Sequence, residues 1–128
     1  MEASQILFYG IIALVIFLYA RRRLLLRSLK AYTPMEVMER LKQNSIVLLD
    51  VRTAEERRQS AIKGSLHIPL HELRRRVDEL QKHRNREIVC YCATGSRSAS
   101  AAATLKKLGF NAANMKGGIA EWKLSGLQ

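Results

Sequence analysis

Short apolar runs alternate with segments of helical spacing through residues 33–128, and one long apolar block stands ahead of them. That block, Ile6 to Ala20, reads ILFYGIIALVIFLYA and carries no charge. It is apolar on every helical face, which suits lipid better than a core helix with one covered side. Ala3, Ser4 and Gln5 can extend it, so the predicted span is about residues 4–24, close to the roughly 20 residues that a bilayer needs. Tyr9 and Tyr19 fit the two boundary zones. Arg21, Arg22 and Arg23 close the block and can snorkel.

Beyond it, Thr33-Pro34 opens a helix: Thr caps free N–H groups and Pro suits the first turn. Met35, Met38 and Leu41 give that helix an apolar face. Ile46–Leu49 is a continuous apolar run, as expected of a strand covered on both sides, and it ends in Asp50-Val51-Arg52. Thr53-Ala54-Glu55-Glu56 is a capping box, so a short helix follows. Leu66-His67-Ile68 reads as a short strand stopped by Pro69. Leu73, Val77 and Leu80 predict one helix whose outer side carries Arg74, Arg75, Arg76, Asp78 and Glu79. Glu87–Cys92 is a strand, with Cys92 its last residue. The Ala-rich segment to Leu108 is a helix starting near Arg97 or Ser98 and closed by Gly109. Asn111–Met115 is a last short strand, Gly117-Gly118 a turn, and Ile119–Leu124 a final helix with Trp122 in the core. Strands alternating with helices indicate an α/β layer with a mostly parallel sheet. Two units are expected: residues 1–31 as anchor and basic linker, and 32–128 as one domain.

Charge refines this reading. Five cations against Glu2 leave +4 in residues 1–31 and +7 of the net +11 on the remainder. No nucleic-acid motif or aromatic interleaving accompanies the charge, so nucleic acid is not an expected partner. Anionic lipid and small anions are. Three consecutive arginines are costly to translocate, which predicts an N-terminus outside and residues 32–128 on the cytoplasmic side. Glu2 at the start and Arg21–Arg23 at the end argue against a cleaved signal. With no transit pattern ahead of the span, the expected host is a bacterial inner membrane.

The chain has two cysteines, too few for a disulfide framework. Cys90 and Cys92 are expected to point to opposite faces, and no metal site is expected from the spacing of the cysteines with His67, His71 and His83. Cys90 reads as a small buried hydrophobe. Cys92 differs: it opens the loop Cys92-Ala93-Thr94-Gly95-Ser96-Arg97-Ser98, between a strand and a helix. Ligands of open α/β sheets gather beyond such strand ends. Gly95 permits a tight bend, and the loop amides at a helix N-terminus favour an anion. That anion can be the sulfur itself, since positive potential favours the reactive thiolate. Thr94, Ser96 and Ser98 add hydroxyl donors. Arg97 adds a planar fork for sulfonate, sulfate or phosphate. The expected chemistry is nucleophilic, with a covalent intermediate on Cys92.

These residues resemble the rhodanese, or sulfurtransferase, family. The loop CATGSRS is similar to the family's active-site loop. Asp50-Val51-Arg52 resembles its Asp-Val-Arg motif, Glu55-Glu56 with Ile62–Pro69 its Glu…His-Ile-Pro-Gly-Ala…Ile-Pro stretch, and Gly117-Gly118-Ile119-Ala120-Glu121-Trp122 its terminal Gly-Gly…Trp element. The sequence departs from that pattern at Arg57, Ser60-Ala61, Lys63 and Ser65, all outside the loop. The resemblance implies a rhodanese-like three-layer α/β fold preceded by one transmembrane helix, and no cofactor. It implies that Cys92 takes sulfane sulfur from a donor such as thiosulfate. The resulting persulfide would rest on the amides of Ala93 to Arg97 and pass its sulfur to cyanide or a thiol. Arg97 would assist anion binding, and Asp50 and Arg52 would tie loops together without catalytic roles. Related phosphatases carry one more loop residue, so the six residues from Cys92 through Arg97 favour sulfur chemistry. The alternatives are a non-enzymatic sulfur relay to a membrane-side protein partner, an adaptor with an unreactive thiol, and a phosphatase-like enzyme.

Overall fold

The computed structural model describes all 128 residues. Helix α1, Ala3–Arg27, holds the apolar block, and none of its residues is buried. At 25 residues it is about 37 Å long, sufficient by length and composition to cross a membrane. Residues beyond the expected span are ordered too. The helix runs on to Arg27, and Lys30–Tyr32 forms strand β1 at a sheet edge. A three-residue strand is too short to show a hydrophobic pattern, and only its pairing partner defines it.

The remaining elements are α2 (Pro34–Lys42), β2 (Ile46–Asp50), α3 (Ala54–Gln59), β3 (Leu66–His67), α4 (Leu73–Arg76), β4 (Glu87–Tyr91), α5 (Ser96–Lys107), β5 (Ala112–Met115) and α6 (Gly118–Leu124). Every sheet pairing is parallel, in the order β1-β5-β4-β2-β3. Thr33 and Thr53 both cap as expected, each hydroxyl accepting the N–H three residues on.

Two local expectations fail. Met35 is exposed, and the covered face of α2 is Val37 with Met38 and Leu41. The helix expected through Leu73, Val77 and Leu80 is broken, with α4 flanked by 3₁₀ turns at Leu70–Glu72 and Val77–His83. Leu73 and Leu80 still reach the core. The tighter 3₁₀ winding alters the angular spacing, so apolar periodicity alone does not separate the two forms.

The sheet lies between two apolar layers. Ile88 and Cys90 of β4, with Cys92 beyond it, join Ala101, Ala102 and Leu105 of α5 on one face. Val89 and Tyr91 join Val37 of α2 and Ile119 and Trp122 of α6 on the other. Cys90 and Cys92 therefore share a face, contrary to expectation, because side chains two apart in a strand fall on the same side. Both are free thiols. Strand β4 leads on to β5 at one side and β2 to β3 at the other. The carboxyl ends of β2 and β4 thus flank the point where the winding reverses, and open α/β sheets place ligands there.

Candidate active site

Strand β4 ends at Tyr91, so Cys92 is the first loop residue, and α5 starts at Ser96 with Gly95 ahead of it at φ 106°. That left-handed turn brings the Gly95 N–H back onto Cys92 Sγ at 3.1 Å. The Ser98 hydroxyl, one turn into α5, stands 3.3 Å from the same sulfur. Burial pushes the Cys92 thiol up. The Ser98 hydroxyl and the N–H groups of Ser98, Gly95 and Thr94 more than offset this and hold it below the ordinary cysteine value. Cys90, buried among apolar groups and beside Cys92, is pushed strongly up. The two thiols are thus shifted in opposite directions.

The loop's carbonyls are drawn elsewhere. The carbonyl oxygens of Cys92 and Ala93 accept the N–H groups of Ile119 and Ala120, at 2.9 and 3.2 Å. Gly118, at φ 61°, lets α6 come this close: a Cβ there would lie 2.5 Å from the backbone of Cys92 and Ala93. The Gly-Gly…Trp element therefore buttresses the loop, and Trp122 roots it in the core at 2 % exposure.

Asn114 on β5 was not singled out by the sequence. Its Nδ2 donates to Gly95 O at 3.2 Å, and its Oδ1 accepts from Ser98 Oγ at 2.6 Å. The single Ser98 proton thus has two acceptors, Asn114 Oδ1 and the sulfur. A lone Asn in a short strand carries no sequence signal for such a tie. Among the expected hydroxyl donors, only Ser98 reaches the sulfur, while Thr94 and Ser96 are exposed.

Arg97 does not offer an empty fork. Its two terminal nitrogens bind Glu56 Oε1 and Oε2 at 2.7 and 2.8 Å. Hydrogen bonds from Arg97, only partly countered by burial and assisted by Thr53, bring the Glu56 carboxyl down to about 2. A cavity of about 300 Å³ opens beside Arg97, lined also by Val51, Thr53, Pro69, Leu70 and His71. Cys92 itself has no exposed surface. The sulfur is buried within its own loop, and Arg97 borders this cavity.

Asp50 and Arg52 lie at the foot of the site. Arg52 grips the buried Asp50 carboxylate with Nε and Nη2, and Nη2 also donates to Ser60 O at 2.7 Å. Tyr91 Oη donates to Asp50 Oδ2 at 2.9 Å, and Arg57 adds an ion pair at 3.2 Å. Arg57 also binds Ser65, so two departures from the family pattern are partners of each other. Burial pushes the Asp50 carboxyl up, but the hydrogen bonds and charge of Arg52, with Tyr91, bring it below its ordinary value. His67 Nε2 lies 2.8 Å from Arg52 O. His83 is half-buried with Nε2 unpartnered.

Comparison with known proteins places this geometry. Residues 33–125 match the Rhodanese-like domain. A sulfurtransferase of Allochromatium vinosum is 37 % identical over 83 residues, covering 64 % of this chain and 76 % of that protein. A putative sulfur carrier protein of Bacillus subtilis, YrkF, is 43 % identical over 79 residues, covering 61 % of this chain but only 42 % of the carrier. The crystal structure of a rhodanese-related protein from Thermoplasma volcanium superposes with a TM-score of 0.71 at 32 % identity, covering 77 % of this chain and 95 % of that one. The matched span takes in the Cys92 loop, its Gly118 buttress and the Asp50–Arg52 pair, and the chain belongs to the rhodanese-like domain family.

Proposed function

We propose that this chain is a membrane-anchored sulfurtransferase in which Cys92 carries sulfane sulfur between a small anionic donor, such as thiosulfate, and a thiophilic acceptor. The observation that carries this reading is the set of donors on Cys92 Sγ: the Gly95 N–H at 3.1 Å and the Ser98 hydroxyl at 3.3 Å. In the first step the Cys92 thiolate attacks the outer sulfur of thiosulfate. A sulfur–sulfur bond forms to Cys92, the bond within thiosulfate breaks, and sulfite leaves with its electron pair. The negative charge now rests on the terminal persulfide sulfur, about 2 Å further out, where the amides of residues 93–97 can hold it. In the second step cyanide or a thiolate attacks that sulfur and the Cys92 thiolate is restored. The enclosure of Cys92 means that loop and Arg97 side-chain adjustments admit the donor. Arg97 then exchanges part of its hold on Glu56 for the donor's sulfonate. Asp50 and Arg52 act structurally, fixing the loops at the strand ends.

Helix α1 serves as the anchor, with the N-terminus outside and residues 32–128 at the cytoplasmic face of a bacterial inner membrane. Its apolar length and the arginines that follow support this topology. A second reading is a relay that delivers sulfur only to a membrane-side protein partner, favoured by the likeness to a putative sulfur carrier. The test is steady-state thiocyanate formation by the full chain in detergent, with thiosulfate and cyanide. Multiple turnovers, lost in Cys92→Ser with the fold intact by circular dichroism, support the enzyme. Loading of Cys92 without turnover supports the relay. Unchanged turnover in Cys92→Ser refutes the assignment of Cys92.

A further inference from the structure

The last two turns of α1 do not stand free of the domain. Leu29 packs against the core cluster, Lys106 Nζ reaches Ser28 O at 3.4 Å, and α1 contacts the outer face of α5. Between the two helices lies a crevice of about 300 Å³, at the lower end of the roughly 300–1,000 Å³ of small-molecule sites. Arg21 and Arg22 line it from α1, and Lys107, Ser100 and Thr104 from α5. No carboxylate lines it, and none of the three cations has an ion-pair partner. Leu18, Leu25 and Leu26 add an apolar stretch of wall from α1, beside the two arginines. A neighbouring hollow beside Leu25, Leu29 and Lys106 continues it along α5.

We propose that this crevice binds the phosphodiester headgroup of one anionic glycerophospholipid, with an acyl chain along Leu18 and Leu25. This inference rests on α1 being a membrane span. Three converging unpaired cations favour a phosphate. They disfavour a zwitterionic headgroup, whose own ammonium they would repel. The leucines continue the apolar face of the span from Leu18, where an acyl chain enters the hydrocarbon. Free phosphate would satisfy the cations but leave that wall uncovered. The position matters because α5 begins at the Cys92 loop and ends at Lys107. A bound headgroup would pin the far end of the helix that presents Ser98 to the sulfur, and so fix the site within about 20 Å of the bilayer surface.

The test uses the delipidated full chain in nonionic detergent, read by native mass spectrometry with phosphatidylglycerol, phosphatidylcholine or inorganic phosphate. One phosphatidylglycerol is retained at least about tenfold better than phosphatidylcholine, given ~1 kcal/mol per cation. Lys107→Gln, on the domain side, lowers that retention about fivefold. Arg74→Gln, which removes an equal charge remote from the crevice, leaves it unchanged. Equal retention of the two lipids, or a Lys107→Gln variant that binds as the parent does, overturns the proposal. So does displacement of the lipid by an equal concentration of inorganic phosphate. Flotation with neutral vesicles separates the two layers of inference. A chain that floats without lipid preference removes only the headgroup site, and one that does not float removes the anchor and the site with it.

Discussion

The carbonyl oxygen of Cys92 accepts the N–H of Ile119 at 2.9 Å. This contact joins the candidate nucleophile to the last helix of the chain. With the matching bond from Ala120 to Ala93 O, it turns the loop's acceptors outward and leaves its donors for the sulfur. A nest of N–H groups forms only when the alternate carbonyls have other partners.

Gly118→Ala should break this arrangement. The added Cβ meets the backbone of Cys92 and Ala93 at 2.5 Å, at a φ of 61°. Neither cost can be relieved by a side-chain rotation. The variant is expected to lose about 2 kcal/mol of stability or more in chemical denaturation. Its Cys92 should also be alkylated with a higher pH midpoint.

Ser98→Ala removes the side-chain donor to the sulfur. A hydrogen bond to a charged group is worth about 1.5–3 kcal/mol, or about one to two pH units. The alkylation midpoint of Cys92 should rise by that amount, toward or past the value of about 8.5 for a free cysteine. A midpoint that does not move would show that the amides alone set the thiolate.

Asn114→Asp tests a positioning role. Asn114 ties Gly95 O to Ser98 Oγ. The carboxylate loses the donor to Gly95 and places negative charge beside the thiolate. Sulfur loading should slow about tenfold, and the alkylation midpoint should shift upward. Purely structural damage would lower stability without moving the midpoint.

Glu56→Gln tests how the donor anion is met. The carboxylate now occupies the Arg97 fork. Without it, KM for thiosulfate should fall about fivefold, on the order of the ~1 kcal/mol of a part-exposed ion pair. The same variant has a pH signature. Glu56 is depressed from an ordinary 4.5 to about 2 on folding. Its contribution to stability is therefore fully present above about 4.5 and disappears as pH falls toward about 2. The parent should lose stability across that acid window more steeply than Glu56→Gln, as followed by denaturant midpoints.

Much of this site was legible in the sequence because it is local. A strand end, a glycine and a helix start within seven residues dictate where the loop amides go, and the Thr-capped helices follow from three-residue spacings. Long-range ties were not legible. Asn114 lies 22 residues beyond Cys92 and acts through a neighbouring strand. The masking of Arg97 by Glu56 depends on how α3 sits over α5. The pairing of Arg57 with Ser65 explains two departures from the family pattern only once the loop from 60 to 65 is folded back. The shared face of Cys90 and Cys92, by contrast, is a local consequence of strand geometry.

The most direct test of the account is the intact mass of the full chain after incubation with thiosulfate and removal of small molecules. The predicted result is a gain of one sulfur atom, discharged by cyanide and absent from Cys92→Ser. A parent chain of unchanged mass, or a Cys92→Ser chain that still gains sulfur, would contradict it.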